Sequence, residues 1–412
     1  MNIAPFKLEQ YFAKHEFTAR YMLSSSDCDG FPMEYVLQQA STEELSMWNN
    51  LKLGYTEGLG SLFLREAICR FYTKATPENV IVASPGELSF ILMNVFMQNL
   101  DGNTSKSEKR DFIPKAATVK RRHAVVISPA YQSLYEVLKS LNCDISYWKP
   151  RECCSAYNGK NNGNCCGGQY YDIEDLRKLV RKDTGLIIIN FPHNPTGAYL
   201  TRKQLDEIVE IAKLNGAYIY SDEMYRELII KDGVEALPSV SDIYEKGISL
   251  WGTAKSFGLA GLRTGWLVSQ DKELLSKVHS FKDYLSICSS APSEVLTAIA
   301  LNHSEKFIEP NILKIKENVA FFKKAVEEGK LPFVLKFEEP VAGSVAFAKI
   351  EPEKAEYLLG HQPKTALEFS DAIVEKYGIM TIPASMFECD CNKLRIGFGR
   401  ENFKEVLSKL FV

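Results

Sequence analysis

Four consecutive aliphatic residues, Leu186-Ile187-Ile188-Ile189, constrain this chain more than any other run, because a strand apolar on both faces needs cover on both sides. Similar short apolar runs occur at 80–83, 125–128, 218–221 and 248–251, separated by amphipathic stretches of helical length. That alternation predicts a mostly parallel sheet with crossover helices, and in such sheets functional side chains gather beyond the C-terminal strand ends. Past about residue 290 the texture changes. A long helical stretch through Ala300 and Lys324 leads to strand-like pieces at 333–337, 344–350 and 394–398, with helices around 366–377 and 402–410. The predicted fold is α/β, a large domain over 46–290 and a smaller α+β domain made of 1–45 and 291–412.

A chain of 412 residues has ample length for two cores. With 25% charged residues and a net charge of -3, its field does not favour nonspecific binding to nucleic acid or to an anionic membrane. Small molecules are the expected partners. Residues 1–20 carry charges throughout, and no stretch approaches the ~18 apolar residues that span a bilayer, so the expected location is cytoplasmic. Ten cysteines fall below the density of a disulfide scaffold, and Cys28, Cys69, Cys143 and Cys288 sit in segments that read as packed elements. Reduced thiols are expected.

Two segments read as insertions. Residues 103–123 hold Lys106, Lys109, Arg110, Lys115, Lys120, Arg121 and Arg122 against Glu108 and Asp111, and a solvated loop explains them more simply than a polyanion site. Residues 150–168 carry Cys153-Cys154 and Cys165-Cys166 around an Asn/Gly-rich tip. Adjacent cysteines chelate zinc less well than a CxxC pair, so a surface loop without metal is the expectation.

Three motifs carry the chemistry. Asn190-Phe191-Pro192-His193-Asn194-Pro195-Thr196-Gly197 closes a buried strand in a proline-fixed turn, which would aim the Asn194 amide over the sheet edge. Taken alone, it is a turn. The next strand ends Tyr220-Ser221-Asp222-Glu223-Met224-Tyr225, bringing an acid and a phenol to the same edge; alone, Asp222 reads equally as a helix cap. The run from Thr253 through Ala254, Lys255, Ser256 and a glycine-rich stretch to Arg263 combines an amine able to condense with an aldehyde, close backbone approach, and a fixed cation suited to phosphate.

Together, in this order and at strand ends, the motifs closely resemble the class I/II aminotransferases, fold type I pyridoxal-phosphate enzymes of the aspartate aminotransferase superfamily, from about Leu23 to the C-terminus. The resemblance implies a seven-stranded-type sheet, pyridoxal 5'-phosphate as cofactor, and Lys255 as the residue that forms the aldimine and shuttles the proton. Asp222 would pair with the pyridine nitrogen, Asn194 and Tyr225 would donate to the ring's phenolic oxygen, and Tyr131 would stack on the ring. The phosphate would sit where Ser84-Pro85-Gly86-Glu87-Leu88 turns into a helix, on the backbone amides of Gly86, Glu87 and Leu88, with Arg263 adding charge. Arg395, in Leu394-Arg395-Ile396-Gly397-Phe398, resembles the arginine that grips a substrate α-carboxylate; Ser24 to Ser26 resemble the N-terminal segment that closes over the substrate, with Ser25 and Asn194 as further substrate contacts. Tyr55 resembles the tyrosine reaching the neighbouring subunit's phosphate, which implies a homodimer with shared active sites.

The chain departs from its relatives in two places. Gly252 stands where many have a hydroxyl, and Leu88 replaces the hydroxyl common in the glycine turn, leaving Thr253 or Ser84 as expected substitutes. Glu87 is expected to turn its carboxylate away from a dianion. The implied reaction exchanges an amino group between an amino acid and a 2-oxo acid. The alternative is a lyase or cyclase acting on an amino acid, since Lys282-Asp283-Tyr284 and the 289–294 stretch are similar to capreomycidine-synthase-like members. The hydrolase elbow, zincin, Walker and dinucleotide signatures are missing from the sequence, and His193 reads as structural.

Overall fold

The computed structural model describes residues 2–16, 18–100, 123–152, 169–337 and 339–412. Except at their ends, the basic 103–123 run and the 150–168 cysteine loop lie outside the described residues. Seven strands form the large sheet: β1 (Val80–Ala83), β2 (His123–Ile127), β3 (Asp144–Trp148), β4 (Thr184–Asn190), β5 (Tyr218–Asp222), β6 (Gly247–Gly252) and β7 (Gly265–Ser269), in the order β1-β7-β6-β5-β4-β2-β3. Strands β2 to β6 are parallel to their neighbours, whereas β7 is antiparallel to both β6 and β1. The expected mostly parallel sheet is therefore present. In β4 every residue but Gly185 is buried, as a strand covered on both faces requires.

Helices α1 (Lys7–His15), α2 (Pro85–Leu100) and α3 (Arg202–Asn215) illustrate how the cover is built. In α3 a Thr201/Gln204 capping box satisfies the first free amides, and Leu205, Ile208, Val209, Ile211 and Ala212 form the buried stripe. Trp251 of β6 faces Trp266 of β7 in register, with ring centroids 5.4 Å apart at 70°. Edge-to-face aromatic pairs contribute about 1 kcal/mol beyond their buried area, so this pair fixes the two strands that flank Lys255.

A second, antiparallel sheet comprises β8 (Val334–Phe337), β9 (Val345–Ile350), β10 (Ile382–Pro383) and β11 (Lys393–Gly397), ordered β8-β9-β11-β10. The N-terminal segment joins it. Tyr21 and Met22 pair in parallel with Ile379 and Met380, and Gly397 donates to the Leu23 carbonyl at 3.1 Å. Leu8 and Tyr11 of α1 share a buried cluster with Phe347, Met380, Ile382, Ala384 and Phe387. The helix Ala291–Asn302 packs instead on Leu62–Cys69, beside the large sheet. Among the described residues no helix is long and apolar enough to cross a membrane, and no cluster of three or more metal-ligating side chains occurs.

Candidate active site

A cavity of about 430 Å³ opens where the C-terminal ends of β4, β5 and β6 meet the start of α2 and the underside of α1. Asn190 and Asp222, the last residues of β4 and β5, are partners in register. The Asn190 side chain donates to the Asp222 carbonyl at 2.8 Å and accepts from the Asn194 amide at 3.0 Å. One amide thus locks the Asn194 turn to the strand that carries Asp222. Asp222 Oδ1 accepts from Met224 N at 3.1 Å, and its second oxygen has no hydrogen bond among the described residues. Burial raises the Asp222 carboxyl to about 6, against the opposing pull of the Met224 amide and the Lys255 charge.

Lys255 lies beyond the end of β6 and lines the same cavity. Its Nζ donates to Ser26 Oγ at 2.9 Å. Burial lowers the ammonium's pKa, with Asp27 offsetting and Arg395 reinforcing the effect, so a larger fraction of the amine is nucleophilic than for a solvated lysine.

The anion-binding end is built from backbone. Pro85, Gly86 and Ser89, in the first turn of α2, line the cavity, and the space beside Gly86 is open. Free amides and the helix dipole make this turn an anion site. Arg263 adds a cation from the turn before β7. Gly252 has a steric reason: a Cβ there would lie 2.8 Å from Thr264 O and 2.9 Å from Gly265 Cα, so the hydroxyl found in relatives does not fit. Ser89, hydrogen-bonded to Tyr220 at 2.6 Å, is the hydroxyl that faces the cavity at this end.

At the opposite end Arg395, 1% exposed, projects from β11. Its Nε and one terminal nitrogen donate to Ser24 O at 3.1 and 2.9 Å, the other terminal nitrogen donates to Asn194 Oδ1 at 3.1 Å, and the guanidinium lies 5.3 Å from the Phe387 ring. Tyr225 and Tyr131 complete this wall, and the Tyr131 hydroxyl donates to Glu9 of α1 at 2.5 Å.

The structure thus brings Gly86, Tyr131, Asn194, Asp222, Tyr225, Lys255, Arg263 and Arg395 to one cavity. Five other expected residues do not line it. Tyr55 is 86% exposed outside the cavity, and Ser25 is buried one residue short of Ser26. Leu88 is wholly buried in the core, which leaves only its backbone amide for the phosphate. The Glu87 side chain points elsewhere, with its charge felt by Lys282. Thr253 spends its hydroxyl on Leu259 O and Thr264 O, because the loop before β7 has to be closed from within.

Ser26, in the 24–26 segment that the resemblance implies closes over the substrate, lines the cavity in place of Ser25, and sequence reasoning missed Glu9, Asp27, Ser89, Ser133 and Asn190, which line it too. Asn190 carried a signal, as a polar residue ending an aliphatic strand; Glu9 carried none. His193 is buried, bonded to Thr196 at 2.6 Å and held neutral by burial at about 3, the structural role expected. Lys282 and Glu294 brace the 56–61 loop: Lys282 donates to Gly58 O and Ile287 O, and Glu294 accepts from Ser61 and Thr56.

Pyridoxal phosphate fits this donor set. The uncompensated carboxylate oxygen of Asp222 calls for a protonated ring nitrogen, the first turn of α2 offers amides to a phosphate, and an amine with lowered proton affinity faces the space between.

Comparison with known proteins agrees. Residues 21–410 match the family described as aminotransferase class I and II. The chain is 26% identical over 277 residues to capreomycidine synthase of Streptomyces vinaceus, covering 67% of this chain and 63% of that protein. It is 25% identical over 238 residues to aspartate aminotransferase of Thermotoga maritima, covering 58% and 56% of the two chains. The alignments with these curated relatives thus span less than two thirds of the relatives' length. Among solved structures, a PLP-dependent aminotransferase from Streptococcus suis superposes with a TM-score of 0.80 at 26% identity, covering 100% of this chain and 96% of that one.

Proposed function

The chain belongs to the aminotransferase class I and II family, and from that membership and the cavity's geometry we propose that it is a pyridoxal-phosphate-dependent aminotransferase exchanging an amino group between an amino acid and a 2-oxo acid. The observation that carries this reading is the convergence of Lys255, Asp222 and Arg395 on one cavity. When bound, the cofactor supplies an electrophilic aldehyde and a protonatable ring that stabilises the electron pair left when a substrate Cα loses its proton.

The chain's own residues do the rest. Lys255 Nζ would provide the covalent anchor and then, released, would take the proton from the substrate Cα as base and deliver it as acid to the cofactor's former aldehyde carbon, the shift that exchange of the amino group requires. Asp222 holds the ring-nitrogen proton in place, an interaction favoured because the carboxylate oxygen not bonded to Met224 N has no other hydrogen bond among the described residues in a poorly solvated site. Arg395 binds the α-carboxylate and fixes which face of Cα meets Lys255, while Asn194 and Tyr225 donate to the ring oxygen. Gly86 and its neighbours, with Arg263, bind the phosphate.

The proposed assembly is a homodimer. Leu53, Tyr55, Tyr284, Leu285 and Ile287 are 48–89% exposed, and the stretches that carry them are tied together where Thr56 donates to Ser289 O and Lys282 to Gly58 O. A contiguous apolar surface of this kind suits a subunit interface, from which Tyr55 would reach a neighbour's phosphate.

The similarity to capreomycidine synthase keeps one second reading, a cyclase or lyase on the same site. An absorbance titration separates the two. The cofactor's visible band is expected to bleach as an amino donor is converted stoichiometrically to its 2-oxo acid. Turnover with no 2-oxo acid formed from the donor would favour the second reading.

A further inference from the structure

Four residues of α1 and its C-terminal cap, Leu8, Glu9, Phe12 and Glu16, line the cavity. Leu8, Phe12 and Glu16 recur every fourth residue, on one helical face, with Glu9 beside them. The wall therefore has an aliphatic and aromatic portion and an acidic portion. Asp27 adds a third carboxylate, next to the serine that holds Lys255.

Two of these acids, Glu9 and Glu16, have no ion pair among the described residues. Glu9 accepts from the Tyr131 hydroxyl and forms no ion pair, and Glu16 has neither a hydrogen bond nor an ion pair through its carboxylate among the described residues. Asp27 meets Arg400 at 2.9 Å through one oxygen, leaving the other open. Burial first, and then the neighbouring Asp27 and Glu9 charges, raise the Glu16 carboxyl's pKa against the opposing pull of Arg400 and Lys255. The cavity's cations, by contrast, are all committed on the aminotransferase reading: Lys255 to the cofactor, Arg263 to the phosphate, Arg395 to the α-carboxylate.

We propose that the amino donor carries a cationic side chain, an ammonium or guanidinium at the end of an aliphatic stem, and that Glu9 and Glu16 with Asp27 receive it while Leu8 and Phe12 cover the stem. The inference rests on the aminotransferase reading of the site and goes beyond it to the substrate class. A dicarboxylic donor would place a fourth negative charge at this mouth and is disfavoured by the same electrostatics. An amino acid with a positive terminus is complementary at both ends, its carboxylate on Arg395 and its cation on α1.

Three analogues lacking the α-amine test this without any exchange chemistry: 5-guanidinopentanoate, its neutral isostere 5-ureidopentanoate, and adipate. Each is titrated calorimetrically into the holoenzyme. The guanidino compound is expected to bind at least ~10-fold tighter than the ureido compound, with adipate weakest. That preference is expected to collapse in E9Q/E16Q, a variant that retains the cofactor's visible band as a check on folding. Equal binding of the three, a preference for adipate, or a preference unchanged in E9Q/E16Q overturns the proposal. Failure of all three to bind overturns it too. Bleaching of the band by amino donors then separates the two failures: if some donor bleaches it, the aminotransferase reading stands without this substrate class, and if none does, both fall.

Discussion

The floor of the cavity and its lid are built by opposite means. The floor, with Asn194, Asp222 and Lys255, is an edge of the parallel sheet: each residue lies at or just past the end of a buried strand, and strand register places it. The lid, with Glu9, Phe12 and Ser26, comes from the first segment of the chain, held over the floor by contacts to β11 and to residues near 380. Chemistry common to a family resides in rigid local geometry, and selectivity in a segment docked from far away in sequence.

The sharpest break of the floor is at Lys255. Lys255→Ala is expected to abolish the visible band and all turnover while leaving the melting temperature nearly unchanged; a variant that keeps both band and activity would refute the assignment. Asp222→Asn is expected to retain cofactor but lower kcat by ~10³-fold, because an amide does not hold the ring nitrogen protonated. Steady-state kinetics on the cofactor-saturated variant check this.

The lid is broken selectively through Gly397, whose backbone lies so close to that of Ser25 that any Cβ collides with the Ser25 carbonyl. Gly397→Ala is expected to push away the 24–26 segment and with it the carbonyl that orients Arg395, raising KM ~10- to 100-fold while the band survives. Equal damage to cofactor binding would show that floor and lid are not separable.

The smallest effect concerns the floor without cofactor. Asp222 titrates at about 6 against an ordinary 3.8, so the folded state binds its proton more tightly than the unfolded chain does. Its stabilising contribution is present below pH 3.8 and lost as pH rises through about 6, a swing of about 3 kcal/mol. Cofactor-free protein is expected to lose a few degrees of melting temperature, relative to Asp222→Asn, between pH 4 and pH 7, and bound cofactor is expected to remove the difference.

How much was legible follows the same division. The all-aliphatic run at 186–189 demanded a two-sided strand, and the polar residues just beyond such runs marked the floor, so Asn194, Asp222 and Lys255 were readable from the chain alone. Ser25 and Thr253 were placed near the cavity but not in it, because a shift of one residue along a loop or an alternative hydroxyl partner leaves no trace in composition. Leu88 was read in the right turn, but helix phase sends its side chain into the core and turns Ser89 to the cavity instead.

By itself the sequence determined the sheet and the strand-end motifs, since short-range periodicity and turn chemistry are local properties that each segment carries with it, and the resemblance of those motifs to a known family implied the cofactor. Only the tertiary structure decided that α1 and its carboxylates join the 24–26 segment in closing the cavity. Glu9 and Glu16 line the cavity because β11 captures the N-terminal segment by hydrogen bonds and close packing, an encounter between the two ends of the chain that no local pattern encodes.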